Sequence, residues 1–209
     1  MPSKFRLRKI FRPFIKLLAK GLGKIGVNPN LATIVMLCFS IFSFFALVFF
    51  FNLFFFSIFV FLVGIFDGVD GAIARIKNRA TTFGGFFDSV MDRTSEFVIF
   101  FALLLYCWNS ILWGFFDMKI VIFISFLSSI MISYLRARAE TFYKGDFDIG
   151  LMARSERLFY LFITMLIANF YGFVNEFLFL FMILVVATAY FRYIKIKKLI
   201  TNFEKGNRK

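Results

Sequence analysis

The chain alternates long apolar runs with short polar breaks, at a spacing that suits a bilayer. A hydrocarbon core takes about 20 apolar residues per helical span. Six stretches meet that length, near 30–51, 54–76, 83–106, 119–140, 151–171 and 174–196. The breaks near 51–53 and 171–174 carry no Lys or Arg, and the one near 107–118 holds only Asp117, with Lys119 at its edge. The other connections are basic. Eight Lys or Arg lie in the first 25 residues, Arg75, Lys77 and Arg79 follow the second span, and the 136–157 connection and the C-terminal end are basic as well. Positively charged connections stay on the cytoplasmic side, so this alternation predicts a cell-membrane protein with both termini in the cytoplasm. Ahead of the first span, "FRPFIKLLAKGLGKIG" sets Phe11, Phe14, Leu17 or Leu18, and Ile25 against Arg12, Lys16, Lys20 and Lys24 at helical spacing. That pattern predicts an interfacial amphipathic helix, with Pro13 tolerated in its first turn. The expected organisation is a basic interfacial segment over 1–29, an all-α bundle of six transmembrane helices over 30–197, and a short charged tail over 198–209.

Composition agrees with the pattern and narrows the chemistry. The 209 residues are 61% hydrophobic and include 37 Phe, with a mean hydropathy of +0.83, which lies outside the range of soluble domains. A net charge of +13 matches a basic face on anionic lipid and argues against a nucleic-acid partner, which needs a soluble basic surface. Cys38 and Cys107 each sit inside an apolar run without paired-ligand spacing, which argues against a disulfide framework or a zinc site. Histidine is absent, so Ser-His-Asp and Cys-His catalysis and imidazole ligation are excluded. Acid–base or metal chemistry therefore falls to carboxylates.

Four of these carboxylates stand where the chain is most apolar, in "DGVDGAIARIKNRATTFGGFFDSVMD" over 67–92. Asp67, Asp70, Gly71, Ala74 and Arg75 share one face of the second span, and Gly84, Asp88 and Asp92 repeat every four residues along the third. If the two spans form an antiparallel hairpin, Asp70 lies at the depth of Asp88, and Asp67 at the depth of Asp92. Gly71, Gly84 and Gly85 leave room where helices or a ligand approach closely. Clustered carboxylates in a low dielectric repel one another unless neutralised. Oxygen donors without Cys or His favour hard divalent cations, Mg²⁺ or Mn²⁺, and four carboxylates suit two of them. The alternatives are a salt-bridge lattice with Arg75, Lys77, Arg79 and Arg93, or the cation or proton pathway of a transporter.

This stretch resembles the signature of the CDP-alcohol phosphotransferases, D-x2-D-G-x2-A-R-x8-G-x3-D-x3-D, with its eight fixed positions filled by Asp67, Asp70, Gly71, Ala74, Arg75, Gly84, Asp88 and Asp92. The resemblance implies transfer of a phosphatidyl-type group from a CDP-linked lipid to a hydroxyl, with release of CMP, by a homodimeric membrane enzyme. It also implies that Asp67, Asp70 and Asp88 hold the metals, and that Asp92 completes the second site and serves as general base. Gly71 would admit the nucleotide and Arg75 would contact its phosphate. Asn30 and Thr33, in "NPNLAT", either cap the first span or touch the cytidine diphosphate as in similar proteins. Thr81 has the same two readings, a nucleotide contact or turn punctuation.

The acceptor is read from a second cluster. "SYLRARAE" and "ARSER" place Arg136, Arg138, Arg154 and Arg157 near the cytoplasmic ends of the fourth and fifth spans, and Arg192 lies similarly on the sixth. Each alone fits a topology signal; together they suggest an anion site. These stretches look like the branch that makes phosphatidylinositol phosphate, or its archaeal ether-lipid counterpart, from an inositol phosphate. In that branch Arg136, Arg154, Arg157 and Arg192 would bind the acceptor. Ala153 stands where that branch often has an acidic residue. Glycerol 3-phosphate and serine are the alternative acceptors.

Overall fold

The computed structural model describes residues 10–77, 80–142, 147 and 149–206; Arg79, one of the cations weighed for a salt-bridge lattice, lies outside them. Among the described residues, seven α-helices carry the fold: α1 Arg12–Lys24, α2 Pro29–Val48, α3 Leu53–Ile76, α4 Thr82–Tyr106, α5 Met118–Phe142, α6 Arg154–Tyr171 and α7 Val174–Gly206. Their boundaries follow local chemistry. Pro13 occupies the first turn of α1, and α1 gives way to Gly26 at φ 93°, a conformation open to glycine. The Asn52 side chain accepts the Phe55 amide over 2.9 Å and starts α3, and Thr81 Oγ1 accepts the Gly84 amide over 3.0 Å and starts α4, as N-caps do. Helix α7 meets no Pro or internal Gly after Val174 and continues through the basic segment to Gly206, beyond the apolar stretch that ends near 196.

Between α4 and α5 the chain forms a small antiparallel hairpin, β1 Ile111–Leu112 and β2 Phe116–Asp117. Its turn is made by Trp113 and Gly114, at φ 51° and 78°, the positive values that match strand twist in tight hairpins. An all-helical reading of the sequence does not anticipate this element.

Among the described residues, four helices are long and apolar enough to cross a membrane: α2, α3, α5 and, over Val174–Asn202, α7. Helices α4 and α6 span 25 and 18 residues but hold Asp88, Asp92, Arg93 and Glu96, or Arg154, Glu156 and Arg157, and fall outside that apolar class. The outer faces of α2, α5 and α7 expose Phe42, Phe45, Phe123, Leu127, Leu180 and Ile183. Such a continuous apolar exterior belongs in lipid.

The packing differs from a simple helical hairpin. Helices α3 and α4 scarcely touch; α2 packs against both and holds them apart, α6 covers the far side of α3, and α5 pairs with α7. The main core runs through Met36, Phe56, Val60, Ile99, Leu103, Ile132, Leu161 and Phe181, all at most 1% exposed. A second core docks α1 on α3 through Ile15 and Ala19 against Ile65, Val69, Ala72 and Ile73, with Phe11, Leu18 and Leu22 beside them. Of the apolar face expected for α1, Phe11 and Leu18 therefore turn inward, whereas Phe14, Leu17 and Ile25 are exposed. The apolar arc opposite the basic face is thus divided, one half packed on α3 and the other half exposed.

Candidate active site

Because α2 splays α3 from α4, their polar faces line an open space instead of closing on each other. Asp67 and Asp70 enter it from α3, Asp88 and Asp92 from α4, and all four line one cavity of about 1070 Å³. One carboxylate oxygen from each of Asp67, Asp88 and Asp92 lies within 4.8 Å of the others. Asp70, 4% exposed, lies against Asp88 of this trio, the partner expected at its depth, and accepts a 2.8 Å hydrogen bond from Thr33 Oγ1 on α2. Thr33 thus holds a carboxylate, a role separate from both its expected ones.

Arg154, the first residue of α6, sits among the aspartates. Its Nη1 donates to both Asp67 and Asp92, and its Nη2 to Ser95 Oγ at 2.9 Å and Met36 Sδ at 3.5 Å. Arg93 lies 3.9 Å from Asp92 and also donates to the Ser89 carbonyl. Lys77 instead donates to the Val27 carbonyl at 2.9 Å. The ion pairing of the cluster is thus carried chiefly by Arg154, which the lattice alternative did not include.

Among the described residues, Asp88 Oδ1 is buried without a hydrogen-bond partner. A bare buried carboxylate oxygen is costly, and here it adjoins two further carboxylates with no Cys or His among them. The donor set fits a hard divalent cation, Mg²⁺ or Mn²⁺.

The other arginines line the same cavity in different states. Arg157, 1% exposed, is clamped to Glu96 through Nε and Nη2 at 2.8 and 3.1 Å, and it donates to the Met152 carbonyl. Arg192, 2% exposed, donates to the carbonyls of Ile149 and Ile132 at 2.6 and 2.8 Å. Arg136 pairs with Glu140 at 2.8 Å and stays accessible. Arg75 also lines the cavity and folds back over Gly71, where an added Cβ would lie 3.4 Å from its Nη1. Asn30, Thr33 and Thr81 are not among the described lining residues. Asn30 and Thr81 meet at Gly84, where an added Cβ would fall 2.9 Å from Thr81 Oγ1 and 3.6 Å from Asn30 Oδ1.

Sequence reasoning missed Ser95 and Glu96. Glu96 extends the four-residue register of Asp88 and Asp92 by one step, a signal present in the chain. It also missed Gly68, where an added Cβ would lie 2.7 Å from Ile15 Cδ1. That close approach seats α1 and brings Arg12 and Lys16 to the cavity wall.

Fold and site together define the class, a helical membrane enzyme with an acid-lined, arginine-rimmed cavity. The chain belongs to the CDP-alcohol phosphatidyltransferase family, which matches residues 27–196, and is a transferase of substituted phosphate groups. It is 32% identical over 167 residues to the archaetidylinositol phosphate synthase of Pyrococcus horikoshii, covering 79% of this chain and 82% of that one. It is 31% identical over 152 residues to the phosphatidylinositol phosphate synthase of Mycobacteroides abscessus, covering 72% and 67%. The Mycobacterium tuberculosis phosphatidylinositol phosphate synthase with CDP-DAG bound shares the fold at a TM-score of 0.73 and 27% identity, over 87% of this chain and 92% of that one. The same enzyme in complex with manganese and citrate matches at 0.74, over 87% and 88%.

Proposed function

We propose that the protein makes a phosphoinositol lipid, transferring a phosphatidyl or archaetidyl group from a CDP-linked lipid to a hydroxyl of inositol phosphate. One observation carries this reading: the four signature aspartates and seven arginines, among them Arg136, Arg154, Arg157 and Arg192, line a single cavity, so a pyrophosphate donor and an anionic acceptor meet in one space. The names of the relatives in both comparisons support the acceptor.

In this reading Asp67, Asp70, Asp88 and Asp92 hold two divalent cations, which when bound polarise the pyrophosphate and stabilise the departing phosphate. Asp92 takes the proton of the acceptor hydroxyl. The hydroxyl oxygen bonds to the lipid-bearing phosphorus while the bond to the CMP oxygen breaks, and CMP leaves with the electron pair. Gly71 and Arg75 receive the nucleotide phosphates, and Asn30, Thr33 and Thr81 support that end from α2 and the start of α4. A narrow apolar cleft lined by Phe11, Phe61, Leu158 and Phe159 joins the site at Asp67 and Gly68 and suits the donor's lipid portion. Arg136, Arg154, Arg157 and Arg192 form the acceptor end, the two saturated ones as fixed positive walls. Counting α4 and α6 as spans gives six, with α1 on the cytoplasmic interface, both termini and the site on that side, and two copies forming the working unit.

Purified protein, a radiolabelled CDP-linked lipid and a panel of acceptors test the reading through CMP release. Inositol phosphate should support turnover and free inositol should not. Faster turnover with glycerol 3-phosphate or serine would overturn the acceptor assignment while leaving the transfer chemistry in place.

A further inference from the structure

We propose that Arg154 is a displaceable counter-ion of the carboxylate cluster: its guanidinium neutralises Asp67 and Asp92 in the metal-free enzyme and competes with the divalent cation for them. The inference rests on the metal-dependent reading above and adds an order of events to it.

Competition follows from shared ligands. Arg154 Nη1 bonds Asp67 on α3 and Asp92 on α4, two of the three carboxylates whose oxygens lie within 4.8 Å of one another. A cation seated among those oxygens and a guanidinium seated among them are alternatives. The guanidinium is the weaker neutraliser, because one positive charge faces three carboxylates and Asp88 Oδ1 keeps no partner.

Its seat is also incomplete. Arg154 Nε is buried without an acceptor, and one of the two partners of Nη2 is a thioether sulfur at 3.5 Å, a weak acceptor. Arg157 and Arg192 differ. The first is held through two nitrogens by one carboxylate, and the second by two backbone carbonyls. Position favours movement as well, since Arg154 opens α6 and follows a segment that turns at Gly150, φ 114°. Swinging off the aspartates keeps the guanidinium inside the cavity it already lines with Ser133, Arg136 and Arg192. Metal binding thereby frees a cation at the end of the cavity assigned to the acceptor phosphate, so the acceptor subsite is completed only after the metal arrives.

Full-length protein stripped with EDTA provides the test, with Mn²⁺ binding read by electron paramagnetic resonance and thermal unfolding followed in EDTA. A competitor seated about 90% of the time weakens apparent affinity about 10-fold, so Arg154→Met should bind Mn²⁺ about 10-fold more tightly than wild type. The same variant should unfold at lower temperature in EDTA and gain more from added Mn²⁺. Ser95→Ala, which removes one anchor of the guanidinium and otherwise only a bond to the Asp92 main-chain carbonyl, leaving every carboxylate in place, should tighten Mn²⁺ binding about 2- to 10-fold, the worth of one hydrogen bond. A merely structural role for Arg154 lowers the unfolding temperature without tightening the metal. Saturable Mn²⁺ binding that is equal or weaker in both variants overturns the inference and leaves the metal reading intact. No saturable Mn²⁺ binding in wild type overturns the metal reading, and the inference with it.

Discussion

Replacing Thr33 by valine tests whether α2 takes part in the chemistry through Asp70. Valine keeps the shape of threonine and removes only the hydroxyl that donates to Asp70 Oδ2 at 2.8 Å. Both residues are buried, at 2% and 4% exposure, so water does not take over the lost bond. The Gly71 amide remains as the other donor to this carboxylate, and the site is weakened without being emptied. A hydrogen bond to a charged group is worth about 1.5–3 kcal/mol. At about 1.4 kcal/mol per decade, complete loss of that energy from the transition state lowers turnover roughly 10- to 150-fold. The assay is CMP release at saturating donor across a Mn²⁺ titration. Thr33→Val should show the drop in kcat together with a higher Mn²⁺ requirement, and Thr33→Ser should stay close to wild type. Wild-type turnover and metal dependence in Thr33→Val would refute the claim that this hydroxyl positions Asp70.

Three further outcomes are expected. Gly68→Ala sets a Cβ 2.7 Å from Ile15 Cδ1 and should cost about 1–3 kcal/mol by overpacking; added Ile15→Ala should recover part of the loss in thermal unfolding, and failure of the pair to interact would place α1 elsewhere. Glu96→Gln strips the buried Arg157 of its counter-charge and should cost about 3–5 kcal/mol, with Glu96→Gln/Arg157→Met milder than the single variant; an additive double variant would contradict the clamp. With no histidine in the chain, transfer should be direct and invert configuration at phosphorus, measured with a chiral thiophosphate donor; retention would indicate a covalent lipid–enzyme intermediate.

The aspartates were legible because helical periodicity is local: residues three, four and seven apart share a face whatever surrounds them. Their arrangement depended on a third helix. The hairpin reading put α3 against α4, and nothing in either stretch announces that α2 stands between them. The arginines failed to sort for a related reason. Charge and position marked Arg154, Arg157 and Arg192 alike, but their partners lie on α2, α3 and α4 or on distant carbonyls, and a one-dimensional pattern does not say which guanidinium is already consumed. Helix α1 shows the same limit within a single element. Its apolar arc is wide, and the half that docks is the one facing the small residue Gly68, which lies opposite Ile15 on another helix.

The helix α2 that separates α3 from α4 works as a spacer whose thickness is written in side-chain volume. Met36, fully buried and in contact with Arg154, lies where that spacer meets the site. In the proposed metal site, the distance across the aspartates would then depend on uncharged side chains such as Met36 as well as on the ligands themselves. Octahedral Mg²⁺ closes on oxygens at about 2.0–2.1 Å, and Ca²⁺ needs about 2.3–2.6 Å. Discrimination between ions of like charge and ligand taste then becomes a matter of shim thickness: trimming α2 by a methyl group changes the aperture of the site while every ligand stays in place.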